Sequence, residues 1–210
     1  MTNAPAEADQ TKGAGLTEED SLRADLYAFL AALLATPPGP EAIDHAAALT
    51  GDDSDLGQGI NALARLAASM SAKGVEREYN ALFIGLGRGE LLPYASFYLT
   101  GFLNEKPLAR LREHMAMLGI ARDAAVKDPE DHIASLCEIM AGLIRGDFGA
   151  PLSIEDQEAF FNSHLATWAG HFFTDLEGAE GSVFYAPVGK IGRAFMDIEV
   201  EAFRMESKDG

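Results

Sequence analysis

Cysteine is all but absent from the 210-residue chain: Cys137 stands alone. That excludes a disulfide scaffold and a cysteine-based zinc site, and it fits a reducing compartment. Long apolar runs are missing too. The longest charge-free apolar stretch, Leu26 to Ala35, falls far short of the ~20 residues a membrane-spanning helix requires. No basic segment followed by an apolar one opens the chain, so no export signal is expected. Basic residues are few, 16 Lys and Arg against 33 Asp and Glu, for a net charge of −17. Such a chain has no cationic surplus to displace counterions from a phosphate backbone, and no nucleic-acid partner is expected. β-Branched aliphatics are scarce as well, with 15 Val plus Ile against 35 Ala and 24 Leu. That bias favours helix over strand. An acidic, cytoplasmic, all-α protein is expected, with partners that are neutral or basic.

Residues 1–16 are small, polar and aperiodic, and read as a disordered N-terminal tail. Residues 17–210 read as one globular all-helical domain of about eight to ten helices. Thr17 with Asp20 predicts a capped helix whose buried stripe is Leu22, Leu26, Phe29, Leu30 and Leu33, ended by Pro37-Pro38-Gly39-Pro40. Helices at roughly 41–49 and 57–72 follow, on either side of an acidic loop, Gly51 to Asp55. No glutamate closes a calcium-type ligand loop there, so it reads as a solvated linker. Val75, Tyr79, Leu82 and Phe83 continue as helix into a glycine-rich stretch, Gly85 to Gly89. Pro107 opens another helix through Leu108, Leu111, Met115 and Leu118. Asp128, with Pro129 first and Glu130 and Asp131 behind it, predicts a helix start rich in acids at the positive dipole end. Its stripe is Ile133, Leu136, Cys137, Met140, Leu143 and Ile144. Ser153 with Asp156 opens a region carrying Phe160, Phe161, Leu165, Trp168, Phe172 and Leu176. The last helix starts near Pro187 and buries Val188, Ile191, Phe195 and Ile198.

Familiar chemistry is thin. Gly85, Gly87 and Gly89 lack both a preceding strand and the Gly-Lys-Ser/Thr ending of a phosphate loop, so they read as a hinge or binding loop. His164 and His171 are seven apart, two turns along one helical face, with Asp175 a further turn on. Glu-x-x-His, the usual helical metal motif, does not occur. A helical metal-binding protein or enzyme using His164, His171 and Asp175 is the rival to the reading below. No Gly-x-Ser-x-Gly elbow exists. Cys137 lies on an apolar stripe, as an inert thiol would. Met115, Met117 and Met140 read as core fillers. Two segments do not reduce to packing. Tyr79 to Gly85 and Leu92 to Leu99 place aromatics around the glycine-rich loop, a composition suited to gripping an apolar peptide. Asp128 to His132 crowds acids and an imidazole at one helix start, and that acidity suits a guanidinium group.

Leu82-Phe83-Ile84-Gly85, Pro93-Tyr94-x-Ser96-x-Tyr98-Leu99 and Asp128-Pro129-Glu130-Asp131-His132 resemble hallmarks of the TorD/DmsD redox-enzyme maturation chaperones. The pattern Gln157-x-x-Phe160, His164-Leu165-x-x-Trp168, Phe172, Phe184-Tyr185 agrees. The resemblance spans roughly Leu22 to Phe203. It implies an all-α cytoplasmic chaperone without catalytic activity or cofactor of its own. Such a protein binds the twin-arginine signal peptide of a molybdoenzyme precursor and delays export until the molybdopterin cofactor is inserted. It further implies peptide binding by Leu82, Phe83, Pro93, Tyr94, Tyr98, Asp128, Pro129, Asp131 and His132. Asp128 stands where the family has glutamate, Leu86 where a proline often follows the glycine, and Tyr94 where tryptophan is common. The Gly-Leu-Gly-Arg-Gly loop and Asn104 to Leu108 are most similar to members found with formate dehydrogenases. The resemblance is compatible with a monomer or a domain-swapped dimer. A GTP-binding regulator, a third reading, lacks its phosphate loop.

Overall fold

The fold is that of a computed structural model, which describes residues 16–122 and 127–209. Residues 1–15 of the expected tail lie outside the described residues. Among the described residues ten α-helices run in chain order: α1 Glu18–Ala35, α2 Pro40–Ala47, α3 Asp55–Ala67, α4 Ala72–Tyr79, α5 Ala95–Thr100, α6 Lys106–Met117, α7 Ile133–Arg145, α8 Ile154–His164, α9 Ala169–Gly178 and α10 Tyr185–Asp209. No strand occurs among the described residues, only an isolated antiparallel bridge between Tyr94 and His132. The all-α expectation holds.

The helix starts follow side-chain capping. Thr17, Ser54, Ser71 and Ser153 each accept a hydrogen bond from the N–H three residues on, satisfying donors that a helix start leaves free. The helix expected at 57–72 therefore begins two residues earlier at Asp55 and stops at Ala67, because Ser71 caps a separate α4.

α7 sits at the centre. Apolar nearly all round, it buries Ile133, Leu136, Cys137, Ile139, Met140, Leu143 and Ile144, as a helix enclosed by others must. It packs along α1 and α8, while α10 packs along α9 and α3. The α9–α10 approach is close enough to need glycine: a Cβ on Gly192 would lie 2.2 Å from the Phe173 ring, and one on Gly189 would lie 2.4 Å from the Glu177 nitrogen. Cys137 is fully buried, and burial pushes its thiol pKa up, so it behaves as a core residue.

Five expectations need correction. The α1 stripe is rotated: Ala24, Tyr27, Leu30, Ala31, Leu33 and Leu34 are buried, whereas Leu22 is 64% exposed and Leu26 and Phe29 are half-buried. Ile198 is likewise exposed on α10, and Met117 is exposed rather than a core filler. The helix expected from Asp128 starts instead at Ile133, with His132 as its N-cap and residues 130–131 in a turn. Lastly, the chain breaks at Leu165–Trp168, so His164 ends α8 while His171 lies on α9. They do not share a helix face.

Candidate functional site

α4 does not simply run on. At Asn80–Ile84 it widens into a π-helical turn, closed when Gly85 N–H donates to the Asn80 carbonyl over 2.7 Å. Gly85 has φ +60°, and a Cβ there would meet the Arg88 carbonyl at 1.9 Å. A Cβ on Gly89 would lie 2.4 Å from the Phe83 carbonyl carbon. Two of the three glycines thus serve a tight backbone fold, which presents Leu86 to solvent at the loop tip.

From the π-turn, Leu82 points into the core and is fully buried. Phe83 is half-buried, its ring 4.9 Å from that of Tyr79 and 5.5 Å edge-on from that of Tyr185. Ile84, Leu86 and, on α5, Leu99 are exposed, and the Arg88 guanidinium lies over the Phe97 ring at 5.1 Å.

The two motifs singled out in sequence meet here. Ala95 N–H donates to the Asp131 carbonyl (3.0 Å), and Ile133 N–H donates to the Pro93 carbonyl (2.8 Å). Across this bridge the Tyr94 and His132 rings pack edge to face, with centroids 5.0 Å apart. Tyr94 Oη donates to Asp128 Oδ1 over 2.9 Å. Burial, and then that bond, push the Tyr94 hydroxyl pKa up, so it remains a donor at neutral pH. Tyr98 Oη donates in the same way to Asp175 on α9 (2.9 Å), and its ring packs against Trp168 and Phe172.

Asp131 is 1% exposed, and Oδ2 accepts the Ser96 N–H over 2.8 Å. It caps α5 rather than the helix that follows it in sequence. Its other oxygen, Oδ1, is buried without a hydrogen-bond partner among the described residues. His132 is buried as well, and its Nδ1 accepts the Ala134 N–H (3.1 Å), which places the ring proton on Nε2. Burial pushes its pKa down to about 4. The imidazole is therefore neutral at pH 7, with desolvation the main cause. Glu130 Oε2 accepts from Arg112 Nε and Nη2 at 3.0 and 2.7 Å. Burial opposes its charge, but Arg112 holds the carboxyl below its usual pKa range.

Among the nine residues predicted from sequence, Pro93, Tyr94, Asp128, Asp131 and His132 therefore form one connected group. Pro129 lies half-buried in its turn. Phe83 and Tyr98 are half-buried on aromatic clusters, and Leu82 is a core residue. The exposed acid of the group is Asp128, and Asp131 acts beneath it. Ser96, Asp175, Arg112 and Glu130 were not anticipated in these roles. Ser96 lay within the quoted motif, and its burial was the missing signal.

The rival histidine site does not assemble. His164 Nε2 lies 2.8 Å from Nδ1 of His114 on α6, Asp175 takes the Tyr98 hydroxyl, and His171 is exposed on α9. No group of three or more potential metal ligands occurs among the described residues.

Comparison with known proteins bears on the family and the fold. The family model described as nitrate reductase delta subunit matches residues 49–174. The protein named chaperone protein TorD from Aliivibrio fischeri is 28% identical over 209 residues, covering 89% of this chain and 96% of its own. Its namesake from Vibrio atlanticus is 28% identical over 200 residues, covering 85% and 93%. A solved chain assigned as a redox enzyme maturation protein from Archaeoglobus fulgidus shares the fold, with a TM-score of 0.58 at 21% identity over 91% of this chain and 99% of that one. With more than half its length matched and TorD chaperones among its relatives, the chain belongs to the TorD-like, nitrate reductase delta subunit family.

Proposed function

We propose that this protein is a cytoplasmic, non-enzymatic chaperone that binds the twin-arginine signal peptide of a molybdoenzyme precursor and assists its maturation before export. The observation that carries the reading is the placement of an exposed carboxylate beside an exposed apolar surface. Asp128 is held by the Tyr94 hydroxyl at the start of α5, which carries exposed Leu99, and the segment leading to Tyr94 carries exposed Ile84 and Leu86 and half-buried Phe83. A signal peptide has the complementary chemistry: a guanidinium pair, which carboxylates accept in bidentate fashion, followed by an apolar stretch. The resemblance of Gly85–Gly89 to formate dehydrogenase-associated members supports a formate dehydrogenase precursor as the client. The net charge of −17 adds attraction for a basic segment, screened by salt.

Calorimetric titration with a twin-arginine peptide at low and high salt tests the proposal. The expected result is binding tighter than to a scrambled control, and weaker at high salt. Equal affinity for the two peptides at both salts would overturn it. Capture of the partner from the native cell then identifies the client.

A further inference from the structure

A second surface is built where two helices meet at the ends of the described chain. α1 and α10 are pinned together beneath it. Arg23 Nε and Nη2 donate to Glu199 Oε1 and Oε2 at 2.7 and 2.9 Å, the Tyr27 hydroxyl donates to Oε2 at 3.0 Å, and the Tyr27 ring lies edge-on to Phe195 at 4.6 Å. Above that tie the helices, with α3, leave a groove of about 540 Å³ lined by Leu22, Leu26, Leu56, Phe195, Ile198 and Ala202. Leu22 is 64% and Ile198 48% exposed, although each continues the apolar periodicity of its helix. Both charges beneath the groove are spent on each other, so its walls are apolar.

The charge at its mouth selects an occupant. Glu18 and Glu19, in the first turn of α1, line the groove, and no cation pairs with either among the described residues. On α10, Asp197 is paired with Arg193 and Glu201 with Arg204, so the free negative charge at the groove is that of Glu18 and Glu19. The nearby cations are already engaged: Arg23 with Glu199, Arg204 with Glu201, and Lys190 with Asp55 and Gln58. Residues 1–15 are a poor match, since Met1 is their only large apolar residue. A helix with apolar anchors at i, i+3, i+4 and i+7 and lysine or arginine alongside satisfies both the floor and the rim.

We infer that the α1–α3–α10 groove is a docking site for a basic amphipathic helix of a partner protein, separate from the Tyr94–Asp128 site and sharing no residue with it. The test uses the full chain and a labelled leucine–lysine helix of about 18 residues, long enough to be helical, read by fluorescence anisotropy. One control peptide replaces lysine by glutamate, and another keeps the composition but breaks the stripe. The lysine helix is expected to bind about tenfold tighter than either control, and Leu22→Asn and Ile198→Asn each to weaken it about fivefold. Both positions are exposed, so these variants should melt like the parent. Leu86→Asn, at the other site, should weaken it less than either groove variant. The inference is overturned if the groove variants bind like wild type or if Leu86→Asn is equally damaging. It is also overturned if sedimentation shows a dimer that Leu22→Asn abolishes, which would assign the groove to a second copy of this chain.

Discussion

The Asp131 carboxylate caps the helix that begins at Ala95, accepting the Ser96 N–H over 2.8 Å across a separation of 35 residues. With the backbone bridge beside it, this bond fixes α5 against the turn that carries Asp128. Asp131 is thus a positioning residue, and Tyr94 and Tyr98 sit where it places their helix.

Replacing Asp131 should separate capping from charge. Asp131→Asn keeps an oxygen acceptor for the Ser96 N–H and is expected to bind the signal peptide within about threefold of the parent. Asp131→Ala removes the acceptor and should cost about 1–2 kcal/mol of stability, with weaker binding. Chemical denaturation and calorimetry on the same samples decide it. A large loss of affinity in the asparagine variant at unchanged stability would mean that Asp131 meets the peptide itself.

Asp128 is the opposite case. It is exposed, so Asp128→Asn should change stability by no more than about 0.5 kcal/mol. Loss of a charge-assisted pair should nevertheless weaken peptide binding by about 1–3 kcal/mol and flatten its salt dependence. Tyr94→Phe, which frees Asp128 from its 2.9 Å tether, should give a smaller loss in the same direction. Unchanged affinity and salt slope in Asp128→Asn would remove this acid from the site.

His132 gives the protein a pH liability. Its folded pKa is about 4 against an ordinary 6.5, so between those values the unfolded chain binds a proton that the folded one refuses. Its contribution is fully present above pH 6.5 and is lost as pH falls toward 4. By pH 5 the loss from this group should reach about 2 kcal/mol. His132→Asn keeps a capping acceptor for α7 without the titration, so its stability should fall less between pH 7 and pH 5. Parallel stability–pH curves for the two proteins would contradict the assignment.

The Arg23–Glu199 pair should be costly to break and inexpensive to replace. Glu199 is fully buried, so Arg23→Met leaves its charge uncompensated and should destabilise the fold by about 3–5 kcal/mol. Adding Glu199→Leu to that variant should recover more than half of the loss, as measured by urea denaturation. No recovery would show that packing of the arginine stem, and not charge, sets the cost.

Helix content was legible because composition and serine and threonine capping act locally. What eluded sequence was set by contacts between distant residues. Asp131 read as part of the first turn of a helix opened by Asp128, but the His132 ring caps that helix and the bridge to Pro93 turns Asp131 toward α5. Leu22 and Ile198 fit an apolar stripe, yet a 3.6-residue period gives a broad arc and does not say which edge a neighbour covers. The α8–α9 break has no proline or glycine to announce it. Leu165 and Trp168 are buried there, and the indole N–H donates back to the His164 carbonyl at 2.7 Å. At the candidate site the motifs named segments that the fold brings together, while burial decides which acid faces outward.

The tie between Arg23 and Glu199 also bears on how the molecule is made. The two residues are 176 positions apart, so the arginine emerges from the ribosome long before its carboxylate exists. Until then α1 has a guanidinium on a surface that the finished fold largely encloses, and α7 can receive only an unfinished partner. Contacts of such long sequence separation slow folding, because loop closure precedes their reward. The helical hairpins can form as they are synthesised, but closure of the whole domain waits for the segment that carries Glu199. A nascent chain stalled before that segment should remain protease-sensitive along α1, even with most of its helices already formed.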